Sequence, residues 1–394
     1  MKAPNPLRDD IAEARPKNCP MWESFCRNAT KNGGNCKQIY SGPLRVSSSL
    51  RGWSVSVLTT WTQTHKETPV KALVTGATGF VGSHLVEELV QRGHEVHCLV
   101  RRTSNLQWLK GLPVRLVYGD VASKESLGAA VAGKDYIYHV AGVIQGKSQW
   151  AFDRANFFGT VNLLRACWRY NAGVRRFVLV SSLSAGGPSG RRRPVREEDP
   201  PRPISLYGKS KWKAEQAAGE FIGRFPLTIV RPPAIFGPRD RGMYPFFKAL
   251  KKGIVVRVAG ERKANFVYVK DVVAGTILAG EAEVAMGQTY YIAGERAHTW
   301  REFAETAARV AGQAVREIVV PARVVRAVGV FNSVAAALTG KAKMLDWQKS
   351  REILQPYWLC DTSKAKRELG YQPTYSLEQG LTETIRWYEE EGWL

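Results

Sequence analysis

Tyr207 and Lys211 stand four residues apart in Tyr207-Gly208-Lys209-Ser210-Lys211, at the head of a strong helical pattern that continues through Glu215. On a helix this interval places the phenol and the ammonium on one face. A cation beside a phenol favours the ionised form and lowers a pKa that ordinarily lies near 10. The pair would then serve as a general acid–base nearer neutral pH. A third polar group is Ser182, at the end of the apolar run Val178-Leu179-Val180, where a hydroxyl could hold a reacting oxygen beside the tyrosine. Ser181 competes with it from one residue earlier, on the other side of the pleat.

Such residues need a partner that supplies the chemistry, and the chain offers one upstream. Thr75-Gly76-Ala77-Thr78-Gly79-Phe80-Val81-Gly82 follows a short apolar run, Val70–Val74, and precedes a helical pattern over about 82–92. Gly76 permits a sharp turn, Gly79 a close approach of backbone to a pyrophosphate, and Gly82 close packing of helix on strand. The free amides of the helix start, with Thr78, Phe80 and Val81 around them, would face the phosphates. The spacing G-x-x-G-x-x-G is one residue longer at its first gap than the general dinucleotide fingerprint. A second strand ends at Val100-Arg101, where an NAD site usually carries a carboxylate for the ribose. A guanidinium there can grip a 2′-phosphate instead, so NADP(H) is favoured, with NAD(H) left open. Asp120 and Val121 follow a third strand, where an acid can reach the adenine. Ala141 and Gly142 follow a fourth, where small residues let the ribose and nicotinamide pass.

These positions fall in order because strands and helices alternate. Apolar runs at 95–100, 114–118, 135–140 and 177–181 read as strands, and a helix is predicted near 123–132. Alternation at this spacing predicts an α/β fold, a doubly wound parallel sheet of the Rossmann type with a smaller C-terminal substrate-binding domain. The cofactor domain is expected over 70–237, with returns near 266–293, and most of 238–394 is expected to bind substrate. Residues 1–69 show no long period. They are a targeting or regulatory arm or an extension foreign to the functional protein; the second is preferred, since Val70 sits where a GTG start codon would place it.

The 394 residues carry a net charge of +22. The basic residues are dispersed, which argues against nucleic acid and suits anionic ligands. No apolar run is long enough to span a membrane, and the first thirty residues offer no continuous apolar stretch of the kind a secretory signal needs, so a cytoplasmic enzyme is expected, with peripheral lipid contact left open. Cys19, Cys26, Cys36, Cys98, Cys167 and Cys360 show no metal-ligand spacing and read as free thiols, and no metal is expected. Arg191, Arg192 and Arg193 read as a solvated run, with a substrate phosphate as the alternative. Residues 321–340 predict an amphipathic helix with Arg323 and Arg326 near its start, either roofing the substrate pocket or lying on a membrane.

Taken in order, TGATGFVG, the Ser-Ser strand end, YGKSK, IVRPPAIFGPRD, FVYVKDV and the tail DTSKAK with Leu369-Gly370-Tyr371 resemble the extended short-chain dehydrogenase/reductase superfamily over about residues 70–394. The resemblance implies that Ser182, Tyr207 and Lys211 are catalytic, that the glycines hold the phosphates, that Asp120 meets the adenine, and that Asn156 is the polar residue of the central helix. It also implies a homodimer and a small-molecule substrate, either a hydroxy or keto compound or a nucleotide sugar. Ala259-Gly260-Glu261-Arg262-Lys263-Ala264-Asn265-Phe266 lacks the glutamine and Arg-Asp pair of sugar-nucleotide members, and Ala185-Gly186-Gly187 stands where epimerases carry a tyrosine. Both departures favour the steroid-dehydrogenase-like or flavonol-reductase-like branch. The expected function is therefore hydride transfer between NADP(H) and an alcohol or ketone carbon. A nucleotide-sugar epimerase or dehydratase with retained cofactor is the alternative, and a non-catalytic dinucleotide-binding regulator is a third reading.

Overall fold

A computed structural model describes residues 69–191, 193–339 and 347–394. The expectations for residues 1–68, for Cys19, Cys26 and Cys36, and for Arg192 lie outside them. Strand β1 (Lys71–Thr75) runs into the glycine loop and helix α1 (Phe80–Gln91) leaves it. There follow β2 (Glu95–Val100), β3 (Arg115–Tyr118), α2 (Leu127–Val131) and β4 (Tyr136–His139). A short α3 (Gln149–Asp153) continues through a π turn (Arg154–Phe158) into α4 (Gly159–Tyr170). Next come β5 (Arg176–Val180), α5 (Leu183–Gly186), α6 (Leu206–Gly219) and β6 (Leu227–Arg231).

With β7 (Ala234–Phe236), α7 (Tyr244–Lys251), β8 (Ile254–Val258) and β9 (Lys263–Tyr268) the chain builds a second layer. After α8 (Val269–Glu281), β10 (Thr289–Tyr291) returns to the large sheet. That sheet has seven strands in the order β10-β6-β5-β4-β1-β2-β3, all parallel. Its central strands are buried on both faces, the state that continuous Val/Ile/Leu runs require. One face packs Val74, Leu85, Leu89, Tyr138 and Ile277; the other packs Leu73, Ile137, Leu163, Phe177 and Leu179.

The remaining elements are β11 (Ala297–Thr299), α9 (Trp300–Val310), β12 (Arg316–Val320), α10 (Ala322–Thr339), α11 (Trp347–Ile353), β13 (Tyr357–Trp358), α12 (Ser363–Leu369) and α13 (Leu377–Glu390). β9 pairs with β7, β11 and β13, and β12 pairs with β8. Phe236, Phe247, Phe266, Phe303 and Tyr388 form an aromatic core here, with the Phe266 and Phe303 rings stacked 4.5 Å apart.

Element boundaries differ from expectation where side chains intervene. The first helix starts at Phe80 rather than 82, because Gly79 already serves as its N-cap. The helix expected over 123–132 is split into a 3₁₀ turn (Lys124–Ser126) and α2. The Ser126 hydroxyl causes the break: it accepts from the Asp120 amide and donates to the Ser123 carbonyl.

Candidate active site

In the sheet the chain leaves β1 toward β2 on one side and β4 toward β5 on the other. The crevice beyond the carboxyl ends of β1 and β4 is therefore the place where such sheets bind ligands. Gly76 turns the chain there with φ +73°, and a Cβ on it would stand 2.7 Å from the Ala141 nitrogen. A Cβ on Gly82 would stand 2.1 Å from the Gly76 carbonyl oxygen, so the third glycine lets the helix close onto its own loop. Gly79 caps α1 without a side chain, and no acid lies in the first turn. The amides of Phe80, Val81 and Gly82 consequently have no intrahelical acceptor. Phe80 and Val81 turn their side chains into the aromatic core while Thr78 is half-buried. A diphosphate fits this cradle: uncapped amides and a positive dipole end converge where no side chain intrudes.

The other expected cofactor positions ring the same crevice. Arg101 and Arg102 are exposed at the end of β2, and the Arg102 guanidinium lies over the Tyr118 ring at 5.4 Å. Asp120 Oδ1 accepts from the Ala122 amide, an Asx turn that fixes the carboxylate at the end of β3. The Ala141 amide donates to Thr75 Oγ1, locking the ends of β1 and β4 together, and Gly142 is exposed beyond it. Val121 lies at the same strand end as Asp120. Its side chain is buried against Gly159 and its carbonyl accepts from Asn162 Nδ2.

Ser182 and Tyr207 meet. Ser182 follows β5 and caps α5, its Oγ accepting from the Ser184 amide, and it stands close enough to the Tyr207 phenol to ease its ionisation. Ser181 is buried, and its hydroxyl has no partner there, so the pleat decides between the two serines. Ser205 caps α6 by accepting from the Gly208 amide, which sets Tyr207 in the first turn, and its hydroxyl donates to Glu352 Oε1 at 2.5 Å. Lys211 lies one turn further, buried, and its ammonium donates to the Val180 carbonyl at 2.7 Å. A Cβ on Gly142 would stand 3.9 Å from that Nζ, so the lysine borders the crevice.

The electrostatics differ from the sequence expectation. Burial pushes the Tyr207 phenol up to about 12; the Ser182 hydroxyl opposes this and the Glu352 carboxylate reinforces it. Burial lowers the Lys211 ammonium to about 8, against the attraction of Glu215. The Lys211 ammonium is held by the Val180 carbonyl. Without a cofactor's positive charge nearby, Tyr207 is a protonated donor rather than a base.

Asn156 is fully buried in the π turn. Its Oδ1 accepts from the Val143 amide, and its Nδ2 donates to the Val143 carbonyl and to Ser210 Oγ. With its amide wholly engaged, it ties the loop after β4 to the helix of Tyr207 and acts through position. His139 does similar work and went unnoticed in the sequence. Thr160 Oγ1 donates to the Asn156 carbonyl, so it must accept from His139 Nε2; His139 Nδ1 then accepts from Thr75 Oγ1. Burial lowers this imidazole to about 3, keeping it neutral. Glu352 was missed as well, since it reaches the site from 147 positions beyond Ser205.

Comparisons with known proteins agree with this geometry. The model of the NAD dependent epimerase/dehydratase family matches residues 72–293. A ceramide reductase of Caulobacter vibrioides is 30% identical over 322 residues, covering 82% of this chain and 95% of its own. A 3 beta-hydroxysteroid dehydrogenase/Delta 5→4-isomerase of Mycobacterium tuberculosis is 32% identical over 346 residues, covering 81% and 90%. Among solved structures, a dTDP-glucose 4,6-dehydratase of Streptomyces venezuelae with NAD bound is 27% identical, covering 82% and 98%, with a TM-score of 0.67.

Proposed function

Because this chain belongs to the NAD-dependent epimerase/dehydratase family and is an enzyme, we propose that it passes hydride between NADP(H) and an alcohol or ketone carbon of an apolar substrate. The observation that carries this reading is the placement of Ser182 at a parallel strand end beside Tyr207, with Lys211 one turn on and the glycine cradle across the crevice. The dinucleotide would supply or accept the hydride. Ser182 holds the substrate oxygen and Tyr207 moves the proton at that oxygen. Lys211 and the α1 amides hold the cofactor, with Arg101 on a 2′-phosphate.

The relatives named for ceramide and 3β-hydroxysteroid chemistry favour an apolar hydroxy or keto compound over a nucleotide sugar. The loop around residues 259–266 supports the same choice. Arg262 donates from Nε and Nη1 to the backbone carbonyls of Ile353 and Ala259, and Asn265 Oδ1 accepts from the Cys360 amide, so both are engaged in holding this loop to the chain around 353–360. At the departure from the epimerase pattern, a Cβ on Gly186 would strike the Tyr291 hydroxyl at 2.3 Å. The second reading, an enzyme that keeps its cofactor through an internal redox cycle, is favoured by the likeness to the dTDP-glucose dehydratase. Denaturing the purified chain and assaying the dinucleotide released separates the two. Little retained cofactor, with reversible binding of added NADPH, supports the dehydrogenase or reductase. Near-stoichiometric cofactor supports internal redox.

A further inference from the structure

The first half of helix α10 (Ala322–Thr339) rests on the protein by a narrow line. Between residues 322 and 331 only Val325 and Gly329, one turn apart, are buried. Val324, Val328 and Phe331 follow the i, i+4, i+7 interval that puts them on one face, and they are 43%, 40% and 72% exposed. Ile318 and Val319, just upstream in β12, are exposed too. An apolar face of this kind marks an interaction surface rather than a scatter of single residues. Its charge identifies the partner. Arg323 and Arg326 are exposed on the same helix, and the sequence from Ile318 to Leu345 holds Lys341 and Lys343 besides and no carboxylate at all. A helix with an exposed apolar stripe, flanking cations and no acids matches an anionic bilayer surface.

The face is also placed to be useful. Ser333 on α10 accepts from the Trp347 amide at the start of α11, and α11 carries the Glu352 that meets Ser205 at the cap of the Tyr207 helix. Helix α10 is thus one helix removed from the reacting groups. We propose that α10 docks this enzyme on an anionic lipid surface, with Phe331, Val324 and Val328 entering the headgroup boundary and Arg323 and Arg326 on lipid phosphates. A protein so placed takes its substrate from, or returns its product to, the bilayer. That consequence rests on the apolar-substrate reading above, whereas the docking itself does not.

The test uses the full chain with vesicles of phosphatidylcholine alone and of phosphatidylcholine with phosphatidylglycerol, in a flotation assay at low and high salt. Binding is expected only to the anionic vesicles, weakening with salt. Arg323→Glu and Arg326→Glu should each reduce partitioning about fivefold or more, and Phe331→Asp about tenfold or more. NADPH affinity in solution should stay unchanged in all three variants, which shows that they fold. Equal binding to neutral vesicles, or none to either, overturns the proposal. So does a change of oligomeric state in Phe331→Asp, which would make a second copy the occupant. A rise in KM for a water-soluble ketone without any change in flotation would assign the face to the substrate pocket and overturn it as well. Loss of hydride transfer with vesicle binding intact would count against the proposed function and leave the docking standing.

Discussion

Glu215 lies two turns after Tyr207 and one after Lys211 on α6, and with Arg231 at the end of β6 it forms an ion pair whose side chains are 2% and 4% exposed. Arg231 Nε and Nη2 donate to the two carboxylate oxygens at 3.0 and 2.6 Å, Nη1 donates to the Tyr291 hydroxyl at 3.1 Å, and the guanidinium lies over the Tyr291 ring. Each of the three guanidinium nitrogens donates to a partner, and Glu215 supplies the only charge that neutralises the cation among these partners. Glu215→Gln keeps the shape but leaves Arg231 buried and unpaired, which should cost about 3–5 kcal/mol. Replacing both, Glu215→Leu with Arg231→Met, removes the cation along with its partner. The double variant should lose far less, about 1–2 kcal/mol, mainly for the Tyr291 hydroxyl left without a donor. Urea unfolding of the wild type, the two single variants and the double gives the coupling directly. Glu215 also opposes the fall of the Lys211 pKa, so Glu215→Gln should move that ammonium below its value of about 8. Additive losses in the cycle, or a Glu215→Gln cost under about 1 kcal/mol, would refute the view that this pair anchors the catalytic helix to the sheet.

Gly82→Ala places a Cβ 2.1 Å from the Gly76 carbonyl oxygen; the loop must open, and dinucleotide affinity measured by fluorescence titration should fall by at least about tenfold while the sheet stays folded. Arg101→Asp should shift preference from NADPH toward NADH by about tenfold or more, the worth of one charge-assisted contact, read from the ratio of the two dissociation constants. Glu352→Gln removes a carboxylate that raises the Tyr207 pKa. In the reductive direction the tyrosine must be protonated, so the alkaline fall in kcat/KM should move to lower pH. A shift to higher pH, or none, would contradict the role given to Glu352.

What could be read from sequence was what lies close along the chain. The Tyr207–Lys211 interval, the three glycines and the Val-rich strands are local patterns, and the structure assembles them around one crevice. Even Ser182 against Ser181 could be posed as a question of pleat direction. What could not be read depends on distant partners. Asn156 finds Ser210 from 54 positions away, and Glu352 finds Ser205 from 147. The expectation that Lys211 lowers the tyrosine pKa assumed that two groups on one helical face interact. In the structure burial dominates and raises the phenol, a cost that spacing along a helix does not reveal. Helix α10 illustrates the same limit. Its amphipathic pattern was visible, but whether the apolar side faces a pocket or solvent depends on what the rest of the fold places beneath it, and beneath it lie Val325 and Gly329.

The central claim is that Tyr207 moves the proton at a substrate oxygen while hydride passes at the adjoining carbon. The most direct test offers the enzyme NADPH carrying deuterium at the transferable nicotinamide position, together with an apolar ketone such as a 3-ketosteroid. Mass spectrometry of the alcohol then follows the label in wild type and in Tyr207→Phe. The account predicts deuterium on the carbinol carbon in wild type and a rate about 10²–10⁴-fold lower in the variant, with NADPH affinity unchanged. Transfer at an equal rate without the phenol would contradict it.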